Sequence, residues 1–158
     1  KVNTIQDATN SNTAISVDSS GRVTLPQRIA FMGKKTDTST LSASSSSNVS
    51  FNHTDLAHAS WDGTTFTAPI AGVYRFVVNG HKQSLDANPI ELGIFKNGSQ
   101  FETAYGLSSS SIRTRVSVDV TISLAVSDAI TFRVLQGDTY AGGSSNSSGL
   151  MCAGHFIG

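Results

Sequence analysis

A chain of 158 residues is long enough for one well-buried domain with a modest appendage and too short for two ordinary domains. Lys plus Arg and Asp plus Glu balance at 11 each, and only 14% of residues are charged, so no overall field draws the chain to nucleic acid, an anionic membrane or an acidic substrate. Cys152 stands alone, which excludes an intrachain disulfide and a thiolate metal cluster built from one chain.

The polar share falls to Ser, Thr, Asn and Gly, the composition of turn-rich extracellular or virion β proteins. No run approaches the roughly 18 apolar residues of a membrane span. The start Lys1-Val2-Asn3 lacks a signal-peptide core, so the chain is expected to begin inside a longer protein.

In chain order, residues 1–26 read as an appendage. Ile15 and Val17 alternate before Asp18-Ser-Ser-Gly21, and Val23 and Leu25 alternate after it, which predicts a small β-hairpin with a Gly turn. Ile29 and Phe31 open a first strand of the main domain, residues 27–158. Residues 36–47 are Thr- and Ser-rich and predict an exposed loop. Val49 and Phe51 begin the next strand, which Ala57, Ala59 and Trp61 continue.

Pro69 and Gly72 then mark a corner, and a strand with Tyr74, Phe76 and Val78 on one face leaves it. Leu92 and Ile94 oppose Phe95 in a strand that ends at Asn97-Gly98, a strong hairpin signal. Even positions from Ile112 to Val126 are Ile, Thr, Val, Val, Val, Ile, Leu and Val, while odd positions are mostly polar, so one face of a long strand is buried. Ser127-Asp128 turns the chain into Ile130, Phe132 and Val134. Gly142 to Gly149 reads as a further loop, and Leu150 to Ile157 as a closing strand. Many short strands at regular spacing predict an all-β sandwich or jelly roll.

The string Phe66-Thr-Ala-Pro-Ile-Ala-Gly-Val-Tyr-Arg-Phe76 resembles the Phe-x-x-Pro-x-x-Gly-x-Tyr-x-Phe pattern of the globular head of complement component 1 subcomponent q and its tumour-necrosis-factor-like relatives. Lys96-Asn97-Gly98, Leu124-x-x-x-Asp128-x-Ile130 and the ending Gly154-His-Phe156-Ile157-Gly158 extend the resemblance over residues 27–158. Trp61 stands where those heads often have Tyr, and Ser127-Asp128 replaces their usual Gly-Asp. The phrase Ala14 to Pro26 resembles the linker that precedes terminal heads in bacteriophage tail fibres.

The resemblance implies a jelly-roll β-sandwich that assembles as a homotrimer, with Phe31, Tyr74, Phe76 and Phe156 supplying core or trimer axis. It also implies a non-enzymatic role. The leading expectation is a virion tail-fibre or spike head that joins an upstream fibre stalk and binds a bacterial surface glycan or protein, with threefold avidity. A trimerising fibre cap without receptor binding and a secreted complement-like lectin are the alternatives. A glycan-cleaving spike would need paired carboxylates in a groove, and no pairing is evident.

Site chemistry is sparse. His53, His58, His81 and His155 show no metal spacing, and Cys152 has no evident basic neighbour to activate it. Asp62, Asp128 and Asp138 sit in turns where carboxylates either cap the turn or share calcium. No other cofactor is expected. Tyr105 and Tyr140, in Gly- and Ser-rich surroundings, and Trp61 are the aromatics that would stack on a sugar, although Trp61 also suits a packed position.

Overall fold

The structure, a computed structural model, describes residues 4–6, 9, 13–25, 27–36, 40–43, 47–82, 87–107, 109, 111, 114–140 and 149–158. Its strands are β1 (Thr4–Gln6), β2 (Thr13–Val17), β3 (Val23–Thr24), β4 (Ala30–Lys35), β5 (Thr40–Ser42), β6 (His53–Leu56), β7 (Thr65–Thr67), β8 (Gly72–His81), β9 (Ile90–Lys96), β10 (Ser99–Gly106), β11 (Arg115–Leu124), β12 (Ala129–Gln136), β13 (Asp138–Tyr140) and β14 (Leu150–Phe156). A five-stranded sheet, β11-β8-β14-β4-β6, faces a four-stranded sheet, β10-β9-β12-β7, and the large buried side chains lie between them. The fold is the jelly-roll β-sandwich. The sheet β1-β2-β3 and the pair β13-β5 stand beside it.

Period two does most of the local work. In β11, Val116, Val118, Val120, Ile122 and Leu124 are buried while every intervening residue is exposed, and the strand pairs with β8 from Arg115↔His81 to Leu124↔Gly72 without a break. Burial stops at Leu124, because Val126 lies in the next turn and is exposed; Ile112 is outside the described residues.

The Pro69 corner is where the two sheets are tied. Phe66 leaves the four-stranded sheet and meets Tyr74 and Phe76 of the five-stranded one, with ring centroids 5.5 and 5.3 Å away. The Tyr74 hydroxyl donates to the Ile70 carbonyl at 2.8 Å, closing the corner and satisfying its only polar atom inside an apolar setting. Phe31, Tyr74 and Phe76 have at most 1% of their surface exposed and lie in the core of the single chain. Phe156, half-buried, packs edge-on against Tyr74 at 5.1 Å.

The hairpin at Asn97-Gly98 joins β9 to β10, with φ of 51° and 79°, the two positive values that a two-residue primed turn requires. Asn97 Nδ2 donates to Asp128 Oδ1 at 2.7 Å, and Asn97 Oδ1 accepts from the Ala129 amide at 2.8 Å. Asp128 Oδ2 takes the Ala125 amide at 2.8 Å and pairs with Lys96 Nζ at 2.8 Å. Two turns are thereby locked together. Lys96 first, then Asn97 and the Ala125 amide, hold the Asp128 carboxyl down at about 2.

A folded-state value below the ordinary 3.8 means this carboxylate supports the fold fully above that value and loses its contribution as pH falls through about 2. Thermal melts over that acid range should show the midpoint of the native chain falling, and Asp128→Asn should remove part of the slope. Equal slopes for the two proteins would contradict the assignment.

Two expectations need correction. The Ser/Thr-rich segment 36–47 contains a strand, β5, which pairs Thr40↔Tyr140 and Leu41↔Thr139 and places Leu41 against the core. Val49 and Phe51 are buried yet outside any strand: the Val49 amide donates to the Phe132 carbonyl and the Phe51 amide to the Gly63 carbonyl. The strand that follows, β6, is exposed throughout. The predicted loop from Gly142 onward lies largely outside the described residues.

Candidate assembly and recognition surfaces

The sandwich buries one face of each sheet and leaves the other open. On the open face of the five-stranded sheet, strand register sets Asp119 beside Val77, Val77 beside Ala153, Ala153 beside Met32, and Met32 beside Leu56. Four apolar side chains therefore form a row across the sheet, and Leu56 is half exposed. Ala153, Met32 and Leu56 of this row line a shallow depression of about 550 Å³ that also takes in Leu25, Arg28 and His155.

Ion pairs frame this row. Arg75 clasps Asp119 through Nε at 2.9 Å and Nη2 at 2.5 Å, and the guanidinium holds that carboxyl below its ordinary range. Asp55 takes Lys34 Nζ and, at 2.9 Å, His53 Nε2, and Lys34 is the main reason its acid is lowered. These pairs are solvent-exposed and add little stability. Their effect is to give the face a charge pattern.

A second surface is the β10 edge of the four-stranded sheet. Its Phe101, Tyr105 and the following Leu107 are 47, 56 and 71% exposed. Tyr105 therefore stands on an edge strand, paired with Glu91, and not in a loop. Exposed apolar groups along an edge strand make this a candidate contact surface.

Trp61 does not reach the surface. It is 7% exposed, stacks on Phe31 at 4.3 Å and 14°, and meets Phe132 edge-on at 6.2 Å. A bridge between Trp61 and Phe66 folds the segment back over the end of the sandwich, where a large ring is needed as a plug. The backbone of Tyr140 lies in β13, while its side chain and that of Asp138 lie outside what the structure describes.

The other candidate aspartates serve turns. Asp62 Oδ1 accepts the amides of Thr64 and Thr65 at 2.8 and 2.7 Å, and Asp128 is engaged as described above. Among the described residues no three His, Cys, Asp or Glu side chains group to hold a metal ion. His53 bonds Asp55, and His58 Nδ1 accepts the Ser60 amide. Cys152 is buried, and burial pushes its thiol far up, away from thiolate chemistry.

The apolar row and the β10 edge were both missed from sequence. A signal for the first was present: Val77 follows Phe76 and precedes Val78, so β8 carries an apolar residue on the face that strict alternation assigns to water.

No family model matches the chain, and no curated protein matches it. Among solved structures, the globular domain of zebrafish complement 1qA superposes with a TM-score of 0.63 at 21% identity, covering 83% of this chain and 98% of that one. The Eiger TNF of S. frugiperda gives 0.62 at 10% identity over 83% and 94%. Murine APRIL gives 0.59 at 9% over 82% and 99%. At these identities the likeness establishes a complement- and TNF-like head fold.

Proposed function

We propose that this domain is the receptor-binding head of a bacteriophage tail fibre or spike, a homotrimer on the virion exterior that attaches to a bacterial surface glycan or protein. The observation that carries assembly is the coexistence of two unlike apolar surfaces, the row Val77, Ala153, Met32 and Leu56 and the edge Phe101, Tyr105 and Leu107. A face on one copy that receives an edge of the next is a heterologous contact, which closes into a ring when the rotation is threefold. The fold likeness to complement and TNF heads supports that closure, and the Ala14 to Pro26 segment supports the fibre setting. Three presented sites would make weak contacts useful through avidity.

The placement of Tyr105 favours a second reading, in which the head trimerises and caps a fibre while recognition lies elsewhere. Light scattering on the purified chain should give about three times its 16.5 kDa mass. On the receptor-binding reading the labelled head binds host cells, and Tyr140→Ala, which lies outside the proposed subunit contact, keeps the trimer but weakens binding at least about tenfold, a loss of roughly 1.4 kcal/mol. On the capping reading the unmodified head does not bind, and Tyr105→Ala lowers the mass. A monomer at micromolar concentration overturns both.

A further inference from the structure

The N-terminal sheet has one apolar face, and among the described residues no strand of the head covers it. Register places Ile5 beside Ile15 and Val17 beside Val23, so these four share a side, while Ser16 and Thr24 pair on the other. On that other side Ser16 Oγ and Thr24 Oγ1 hydrogen-bond at 2.5 Å, and at the end of the β1–β2 pair Gln6 Nε2 donates to Thr13 Oγ1 at 3.0 Å. Yet three of the four apolar side chains meet water, Ile5 being 56%, Val17 38% and Val23 65% exposed, while Ile15 is half-buried. A sheet of such short strands needs its hydrophobic face packed to be stable. The strands of the head do not supply that packing, since β1, β2 and β3 contact chiefly one another.

We propose that this face packs against the same face of other copies, forming a second intersubunit contact on the N-terminal side of the head. This rests on the homotrimer reading above. Charge argues for a copy over a foreign partner. Among the described residues of the sheet and its turn, Asp18 and Arg22 are the only charged side chains, and they neutralise each other at 2.6 Å, so identical faces meet without repulsion. Among the described residues of the sheet, an anionic lipid or nucleic acid would find no unpaired cation.

Size argues the same way. Four or five side chains fall far short of the roughly 800 Å² per partner that a stable independent interface buries. The face therefore suits a partner already held beside it, and a copy bound through the head meets that condition. Leu25, 54% exposed, supplies the link, because it follows β3 directly and also lines the depression on the open face of the head.

Single-cysteine variants of the whole chain test this with a bifunctional maleimide, the native chain serving as control because Cys152 is buried. Val23→Cys should link copies covalently, with up to about two chains in three running as a dimer on a denaturing gel, as threefold symmetry dictates. Thr24→Cys, on the hydrogen-bonded side, should remain a single chain. If light scattering shows a trimer but Val23→Cys links no better than Thr24→Cys, the face belongs to another occupant and this inference fails while the trimer reading stands. A monomeric chain overturns both together.

Discussion

Phe31→Ala is expected to lower the free energy of unfolding by about 3 to 5 kcal/mol, the range for truncating a large buried aromatic. Phe31 is 1% exposed and is the ring through which the sheets communicate. It stacks on Trp61 at 4.3 Å, on Phe66 at 5.3 Å and leans on Phe76 at 6.2 Å, joining β4 to β7, β8 and the plug over the sandwich end. Removing it opens a cavity that those rings, anchored on β7, on β8 and at the Trp61 bridge, cannot collapse to fill. Set against a total stability of about 5 to 15 kcal/mol for a domain of this kind, that is a large fraction. Urea melts of the variant beside Tyr105→Ala give the comparison, since the exposed edge residue should change stability by no more than about 0.5 kcal/mol in the monomeric fold. A Phe31→Ala midpoint within error of the native one would show that the core is not organised around this ring.

Gly154→Ala should cost about 3 kcal/mol, the upper part of the range for overpacking a core. Gly154 lies in β14 between Phe31 on one neighbouring strand and Phe76 on the other. A Cβ at this position would sit 2.5 Å from Phe76 Cδ1 and even closer to Phe31 Cε1, so both rings must move, and both are fully buried. The strand has a glycine here because two aromatic rings already occupy the space its side chain would need. The same geometry predicts coupling. Truncating Phe31 vacates part of the volume that the new methyl group invades, so the double variant should be less destabilised than the two single changes added together, by about 0.5 to 3 kcal/mol. Strict additivity would mean that the ring and the glycine are not in contact.

Much of the sandwich could be read from residue order alone. β8, β11, β12 and β14 carry long alternating runs, and alternation is a local property: side chains on a strand point to opposite sides whatever the strand packs against. The Asn97-Gly98 turn is equally local, because two consecutive positive φ values suit few residue pairs. Segment β5 was hidden for the converse reason. Three residues with no repeating apolar pattern become a strand only because β13, about a hundred positions away, offers its backbone.

The candidate site divides along the same line. Sequence by itself determined the alternating strands β8, β11, β12 and β14 and the Asn97-Gly98 turn, and it grouped Phe31, Tyr74, Phe76 and Phe156 as core or interface residues, all four of which lie on buried or half-buried faces. Only the tertiary structure decided that Trp61 plugs the core, that Tyr105 stands on a sheet edge, and that Val77, Ala153, Met32 and Leu56 line up in one row on the open face of a sheet. The physical reason is that period two states that a strand has two faces and says nothing about what covers the second. That answer depends on strand order and register, which are set by contacts between residues far apart in the chain.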